Sequence, residues 1–142
     1  MAKSQEKPAQ EKEPKTKKEE KEKTGNALVG RVKKVLKKTP LSMKIRLNND
    51  ISDTIDFIKK AEKAGIDMVA IHGRTLTQKY RGQADYEKLY AIKQYFPNLI
   101  ILGSGDIKSK SDLDAKLGNL DGVIIGRAAK IRPEVFQELK IK

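Results

Sequence analysis

Met68-Val-Ala-Ile-His-Gly-Arg-Thr75 is a short apolar run that ends abruptly in an imidazole, a glycine and a guanidinium. Three other runs end in the same manner: Leu41–Arg46 in Lys-Ile-Arg, Leu99–Asp106 in Gly-Ser-Gly-Asp, and Val123–Arg127 in Gly-Arg. Four buried strands with polar groups at their C-terminal ends are the layout of a parallel α/β site.

The stretches between these runs read as helices. Leu28, Val32, Val35 and Leu36 form one stripe over 27–38, and Thr39-Pro40 ends it. Ser52 or Asp53 is expected to cap a second helix, with Ile55, Ile58 and Ala61 inward and Gly65 as its left-handed stop. Asp85 is expected to cap a third with Leu89, Ile92 and Phe96 inward, and Ser109 or Ser111 a fourth that ends at Gly118. Pro133 suits a first helical turn, with Val135, Phe136 and Leu139 as the last apolar stripe. Strand ends recur at Lys44, His72, Ser104 and Gly126, 28, 32 and 22 residues apart. That spacing suits βα units but does not separate a doubly wound sheet from part of a barrel, which needs eight strands to close.

Composition divides the 142 residues unevenly. Residues 1–25 hold eight lysines, six glutamates and two prolines, with no aromatic or β-branched aliphatic residue. Such a segment buries too little apolar surface to offset its ordering entropy, so it reads as a disordered charged tail before a folded region over 26–142. The net charge is +12, of which the tail supplies +2 (eight Lys minus six Glu), leaving +10 on the folded part. That balance favours an acidic or phosphorylated partner over a merely basic surface only when a site supports it. No apolar run reaches a membrane-spanning length, no signal peptide is evident, and a cytoplasmic location is expected. The absence of cysteine excludes disulfides and thiol chemistry within the chain, and a single histidine argues against a zinc site, so no metal ligands are assigned.

Strand parity bears on Lys44, Arg46 and His72. Leu41, Met43 and Ile45 share one face of the first strand, leaving Lys44 and Arg46 on the other; Met68, Ala70 and His72 share a face of the second. Two cations inside a barrel are costly unless an anion meets them. An edge strand whose polar face meets water explains the pattern equally well from parity alone. For His72 alone, a hydrogen-bonded core histidine is the commoner case. Gly103-Ser-Gly-Asp106, after a strand and before a helix, is a phosphate-cradle pattern, though such turns often only connect elements. Gly126-Arg127 at the next strand end makes it more specific, because phosphate sites recur at the last two strands of (β/α) barrels.

Met43-Lys-Ile-Arg, Ile71-His-Gly-Arg-Thr with Gln78, Tyr80, Gly82 and Ala84-Asp85-Tyr86, then Gly103-Ser-Gly-Asp-Ile107 and Asp121-Gly-Val-Ile-Ile-Gly-Arg127, resemble the tRNA-dihydrouridine synthases. The resemblance runs from about Gly25 to Leu139 and corresponds to the last four strands of that family's barrel. It implies a partial (β/α) TIM-type barrel with four parallel strands and flanking helices. It also implies FMN as cofactor, NAD(P)H as reductant and tRNA as the partner whose uridine is reduced to dihydrouridine. By resemblance, Lys44 and His72 would contact the flavin, while Ser104, Gly105 and Asp106 would cradle its phosphate or ribityl chain, completed by Gly126 and Arg127. Arg74, Tyr80 and Arg81 would lie toward bound tRNA.

The departures limit what one copy of this chain is expected to do. The family's proton-donating cysteine lies on the first half of its barrel, and no catalytic residue is assigned here. Ser104 stands where the family usually has Asn, and Ala128 where it usually has Gly. The expectation is a synthase-like half-barrel, inactive alone, that needs a missing barrel half or a second copy of itself. It would be a gene fragment, a wrongly started reading frame or one piece of a split enzyme. The competing expectation is a non-enzymatic basic module that binds RNA or phosphate.

Overall fold

Four parallel strands are hydrogen-bonded in their order along the chain: β1 (Ser42–Leu47), β2 (Met68–Thr75), β3 (Ile100–Ser104) and β4 (Gly122–Ile124). They belong to a computed structural model that describes residues 17–140, with side chains from residue 25 onward. A doubly wound sheet reverses its strand order at a switch point; this one never does. Because parallel crossovers are right-handed, stepping always in one direction puts every connecting helix on the same face. The architecture is a (β/α) barrel segment of four strands, open on its other face.

The helix layer is built from α2 (Ile51–Lys63), α3 (Tyr86–Tyr95) and α4 (Lys110–Lys116). Ile58 and Ala61 of α2, Leu89 and Ile92 of α3 and Leu113 of α4 join Val69, Ile71 and Ile101 of the sheet in one buried cluster. Each helix starts on a side chain that accepts an otherwise orphaned N–H: Asp50 from Ser52, Asp85 from Lys88 and Ser109 from Asp112. Asp50, rather than Ser52 or Asp53, thus caps α2, because the helix begins two or three residues earlier than the sequence suggests. Gly65 follows α2 with φ +98°, the left-handed stop anticipated for it.

Helix α1 (Lys17–Leu36) begins inside the segment read as a tail, so the first ordered element starts at 17 rather than 26. Lys, Glu and Ala are good helix formers, and Pro8 and Pro14 both precede it. The reading of 1–16 lies outside the described residues. The stripe also differs: Val29, Val32 and Leu36 turn inward, while Leu28 and Val35 are exposed. After β4 the chain makes two short helices, α5 (Arg127–Ile131) and α6 (Val135–Glu138), in place of one. Val135 and Leu139 are buried as expected but Phe136 is exposed, since one turn of helix presents too narrow a face to bury all three. No helix among the described residues is long and apolar enough to cross a membrane.

β2 extends three residues past His72. Its pairing with β1 shifts between Arg46↔His72 and Leu47↔Thr75, leaving Gly73 and Arg74 as extra residues opposite one step of β1. Such a bulge re-aims side chains beside a site. Here the Gly73 carbonyl accepts from the Asp85 N–H at 2.7 Å, and a Cβ at 73 would lie 3.0 Å from Ala84 Cβ and Asp85 N. Glycine is needed there for close approach of the β2–α3 loop.

Candidate functional site

Two register rows cross the sheet on the face away from the helices. One holds Lys44, Ala70, Leu102 and Gly122; the next, nearer the C-terminal ends, holds Arg46, His72, Ser104 and Ile124. Parity alone left the lumen and the wet edge strand equally weighted, and the core cluster on the opposite face places both cations on the lumen side. A cavity of about 680 Å³ opens above these rows. Lys44, His72, Ser104, Gly105, Asp106, Gly126 and Arg127, all expected to bind cofactor, line it together, and Tyr80 lines it too. Arg46, Lys108 and Arg132 add three cations that family resemblance does not supply. Of these, only Arg46 carried a sequence signal, its parity with Lys44. Ile107, Ile124, Ala128 and Ile131 complete an apolar part of the wall.

Asp106, the one carboxylate of that wall, does not point its free valence into the cavity. Arg74 Nη2 donates to both of its oxygens, at 2.9 and 2.8 Å, and the Ala84 N–H donates at 2.8 Å. Arg127 Nη2 reaches Oδ1 at 3.3 Å. Burial pushes this carboxyl up, but the Ala84 N–H and the Arg74 guanidinium outweigh it and hold the group below the usual carboxylate range. Asp106 sits at φ +53°, a left-handed conformation that Asp tolerates better than most side chains.

Arg74 is only 3% exposed, which corrects the expectation that it lies toward RNA. Its Nε donates to the Arg81 carbonyl at 3.3 Å and its Nη2 to the Gly82 carbonyl at 2.5 Å. It is an internal strut between β2, the β2–α3 loop and Asp106. The sequence hid this because the partners are backbone carbonyls and a side chain 32 residues away. Tyr80 and Arg81 are exposed, as a contact with an outside partner requires; Arg81 lies off the cavity and donates to the Thr77 carbonyl.

Tyr80 stands between the two sheet edges. The Arg46 guanidinium carbon is 5.7 Å from its ring centroid and that of Arg127 5.0 Å, both within cation–π range. Arg46 Nη1 also donates to the Thr75 and Lys79 carbonyls, at 3.2 and 2.9 Å, fixing the loop that carries the ring.

His72 is buried and lies under Gly105. A Cβ at 105 would meet Ala84 Cβ at 2.7 Å and His72 Cδ2 at 3.0 Å, and φ there is +121°. The close approach that requires this glycine is therefore made by the protein's own side chains. Gly126 is the opposite case, with nothing within 4 Å of an added Cβ. Burial, then the positive charges of Arg46, Lys44 and Arg74, lowers the His72 pKa to about 4. The imidazole is neutral at pH 7, able to accept a hydrogen bond at one nitrogen and donate one at the other.

The arrangement can hold an anion. Five Lys and Arg side chains line a cavity with one fully engaged carboxylate, and the open space at Gly126 leaves backbone accessible beside Arg127. No group of three His, Cys, Asp or Glu side chains capable of holding a metal occurs among the described residues. The chain contains no cysteine.

Comparison with known proteins places these features. A family profile described as "Dihydrouridine synthase (Dus)" matches residues 20–142. A probable tRNA-dihydrouridine synthase of Aquifex aeolicus is 36% identical over 105 residues, 72% of this chain and 33% of the relative. The tRNA-dihydrouridine synthase B of Pseudomonas putida is 39% identical over 105 residues, 71% of this chain and 31% of the relative. The chain thus spans about a third of the length of these curated relatives. Among solved structures, a monomeric dihydrodipicolinate synthase variant superposes with a TM-score of 0.52 at 16% identity, over 80% of this chain and 43% of that one. That likeness concerns the fold alone and agrees with a barrel segment.

Proposed function

The chain belongs to the dihydrouridine synthase family, and on that premise we propose that it contributes the phosphate-side half of an FMN site that reduces uridine in tRNA. The family is one of flavin-dependent oxidoreductases. The observation that carries the reading is the cavity at the C-terminal ends of β1–β4, with Lys44, Arg46 and Arg127 around it and its single carboxylate already paired. A ligand with a dianionic phosphate offsets that charge; a neutral one does not.

In this reading Arg127 and the backbone at Gly126 hold the phosphate, and the Ser104 hydroxyl bonds the chain that leads from it. Neutral His72 and the Lys44 ammonium, which line the cavity, would contact the flavin, and Lys44 would supply a positive charge able to stabilise negative charge on it. A bound flavin supplies hydride transfer, with NAD(P)H as the reductant that recharges it. Tyr80 and Arg81, exposed at the rim, meet the RNA. The proton donor and the opposite wall come from a further set of strands that completes the barrel. A second copy of this chain is a poor completion, because it would set two Lys44 and two Arg46 side chains into one lumen with no additional free carboxylate.

The test is dihydrouridine formation. This chain is expected to yield none in unmodified tRNA with FMN and NADPH, and to yield it when co-expressed with the first half of a relative's barrel. Product from this chain alone would overturn the half-site reading. Tight tRNA binding by a reconstituted pair that holds no flavin would favour a non-enzymatic RNA-binding module.

A further inference from the structure

We propose that Asp106 is a positioning residue: its carboxylate never touches the ligand of the cavity but holds Arg127 in place above it. The inference rests on reading that cavity as an anion site.

The acceptor count supports it. A carboxylate offers about four lone-pair positions. Oδ1 takes Arg74 Nη2 and Arg127 Nη2, and Oδ2 takes Arg74 Nη2 and the Ala84 N–H. Nothing is left for a ligand donor, and a phosphate brought against Asp106 would meet a like charge. The charges sort in the same way. Arg74 is buried against Asp106 and cancels it, so the positive charge of Arg127 remains uncompensated. Arg127 is 59% exposed by its side chain, with the longest of these contacts, 3.3 Å, and the Tyr80 ring as its other neighbour. Only its Nη2 is engaged by the carboxylate, so Nε and Nη1 can donate into the cavity while that contact holds.

Three loops meet at this carboxylate. Ala84 and Gly82 belong to the β2–α3 loop, Asp106 itself follows β3, and Arg127 follows β4. Arg74 ties the first two together from β2, and the left-handed backbone of Asp106 directs its side chain back at all of them. A phosphate-binding arginine on a one-turn helix has little rigidity of its own; here it borrows rigidity from a buried ion pair.

The test is a double-mutant cycle on the full chain, read by binding of FMN and of inorganic phosphate. Arg127→Ala should weaken both by about tenfold or more, with little change in melting temperature because the side chain is exposed. Asp106→Asn, which keeps a residue tolerant of positive φ, should cost about tenfold in the native background and under about twofold when Arg127 is already Ala. Equal cost in both backgrounds, or no cost in either, would overturn the positioning role while leaving the anion site standing. Should Asp106→Asn show no cooperative melt, the cycle is run with Asp106→Glu, which keeps the charge and displaces it by one methylene, and the same non-additivity is required. A native chain that binds neither FMN nor phosphate removes the anion site, and this inference with it.

Discussion

On the helix side of the sheet, Val69, Ile71 and Ile101 are fully buried in the apolar core cluster. On the cavity side, alternate residues of the same strands bring Lys44, Arg46, His72 and Ser104 together beside Ala70, Leu102 and Ile124. The backbone hydrogen bonds serve both faces equally. What differs is closure: helices cover one face, whereas no described element fills the cavity on the other, which carries the cations and an apolar floor. One face therefore accounts for stability, and the other is the one to which the proposed function assigns binding.

Paired substitutions across the sheet are the sharpest way to break that contrast. Ile101→Ala empties a fully buried position and should cost about 2–5 kcal/mol. Ile124→Ala on the cavity side should cost under about 1 kcal/mol, because its site is only half-buried. Urea denaturation of the two variants measures both, and equal losses would erase the distinction.

Glycines give a second, smaller pair. A Cβ at Gly103 would lie 2.7 Å from Leu120 Cδ1 and 3.1 Å from the Tyr86 ring, so Gly103→Ala overpacks the helix side at about 1–3 kcal/mol. Gly126→Ala enters open space and should stay within about 0.5 kcal/mol of native stability. If it nonetheless weakens FMN binding, the space at 126 belongs to the ligand. Melting curves and an FMN titration read the two effects separately.

The smallest effect is a pH dependence that belongs to the cavity side alone. His72 is the only histidine, with a folded pKa near 4 against an ordinary 6.5. The unfolded chain therefore binds the extra proton first. Stability should be full above about pH 6.5 and fall as the pH drops toward 4, by about 1–2 kcal/mol after allowing for the open cavity beside the ring. Asp67, Asp106, Asp112 and Asp121, all lowered from the usual carboxylate value, lose their contributions only below that window. His72→Gln should flatten the slope between pH 4 and 6.5 in a denaturation series, and a bound phosphate should raise the imidazole pKa in proton NMR.

Much of this contrast was legible in the sequence, for identifiable reasons. Alternation in Leu41–Leu47 separated Lys44 and Arg46 from Met43 and Ile45, because a strand has period two and the two residue classes do not mix. Asp85 and Gly65 were readable as cap and stop because each meets a local backbone demand. The side of the sheet that the cations face was not readable, since it depends on strand order and on where the helices fall. On α1, Leu28/Val35 and Val29/Leu36 are both seven apart, and only the packing of α1 against the body of the fold selects the second pair. Arg74 looked like a surface contact because its partners are backbone carbonyls and a carboxylate brought in by a later strand. The FMN assignment of Lys44 came from resemblance, whereas Ser104 and Gly126 also lie in glycine turns that read as a phosphate cradle, a pattern that indicates an anion but not a flavin.

A fluorescence titration of the full chain with FMN and with riboflavin, which lacks only the phosphate, tests the central claim most directly. If the cavity is built around an anion, FMN should bind at least about tenfold more tightly than riboflavin, and the advantage should shrink as salt rises and when Arg127 becomes Ala. Equal affinity for the two flavins, or an FMN preference indifferent to salt and to Arg127, would contradict it.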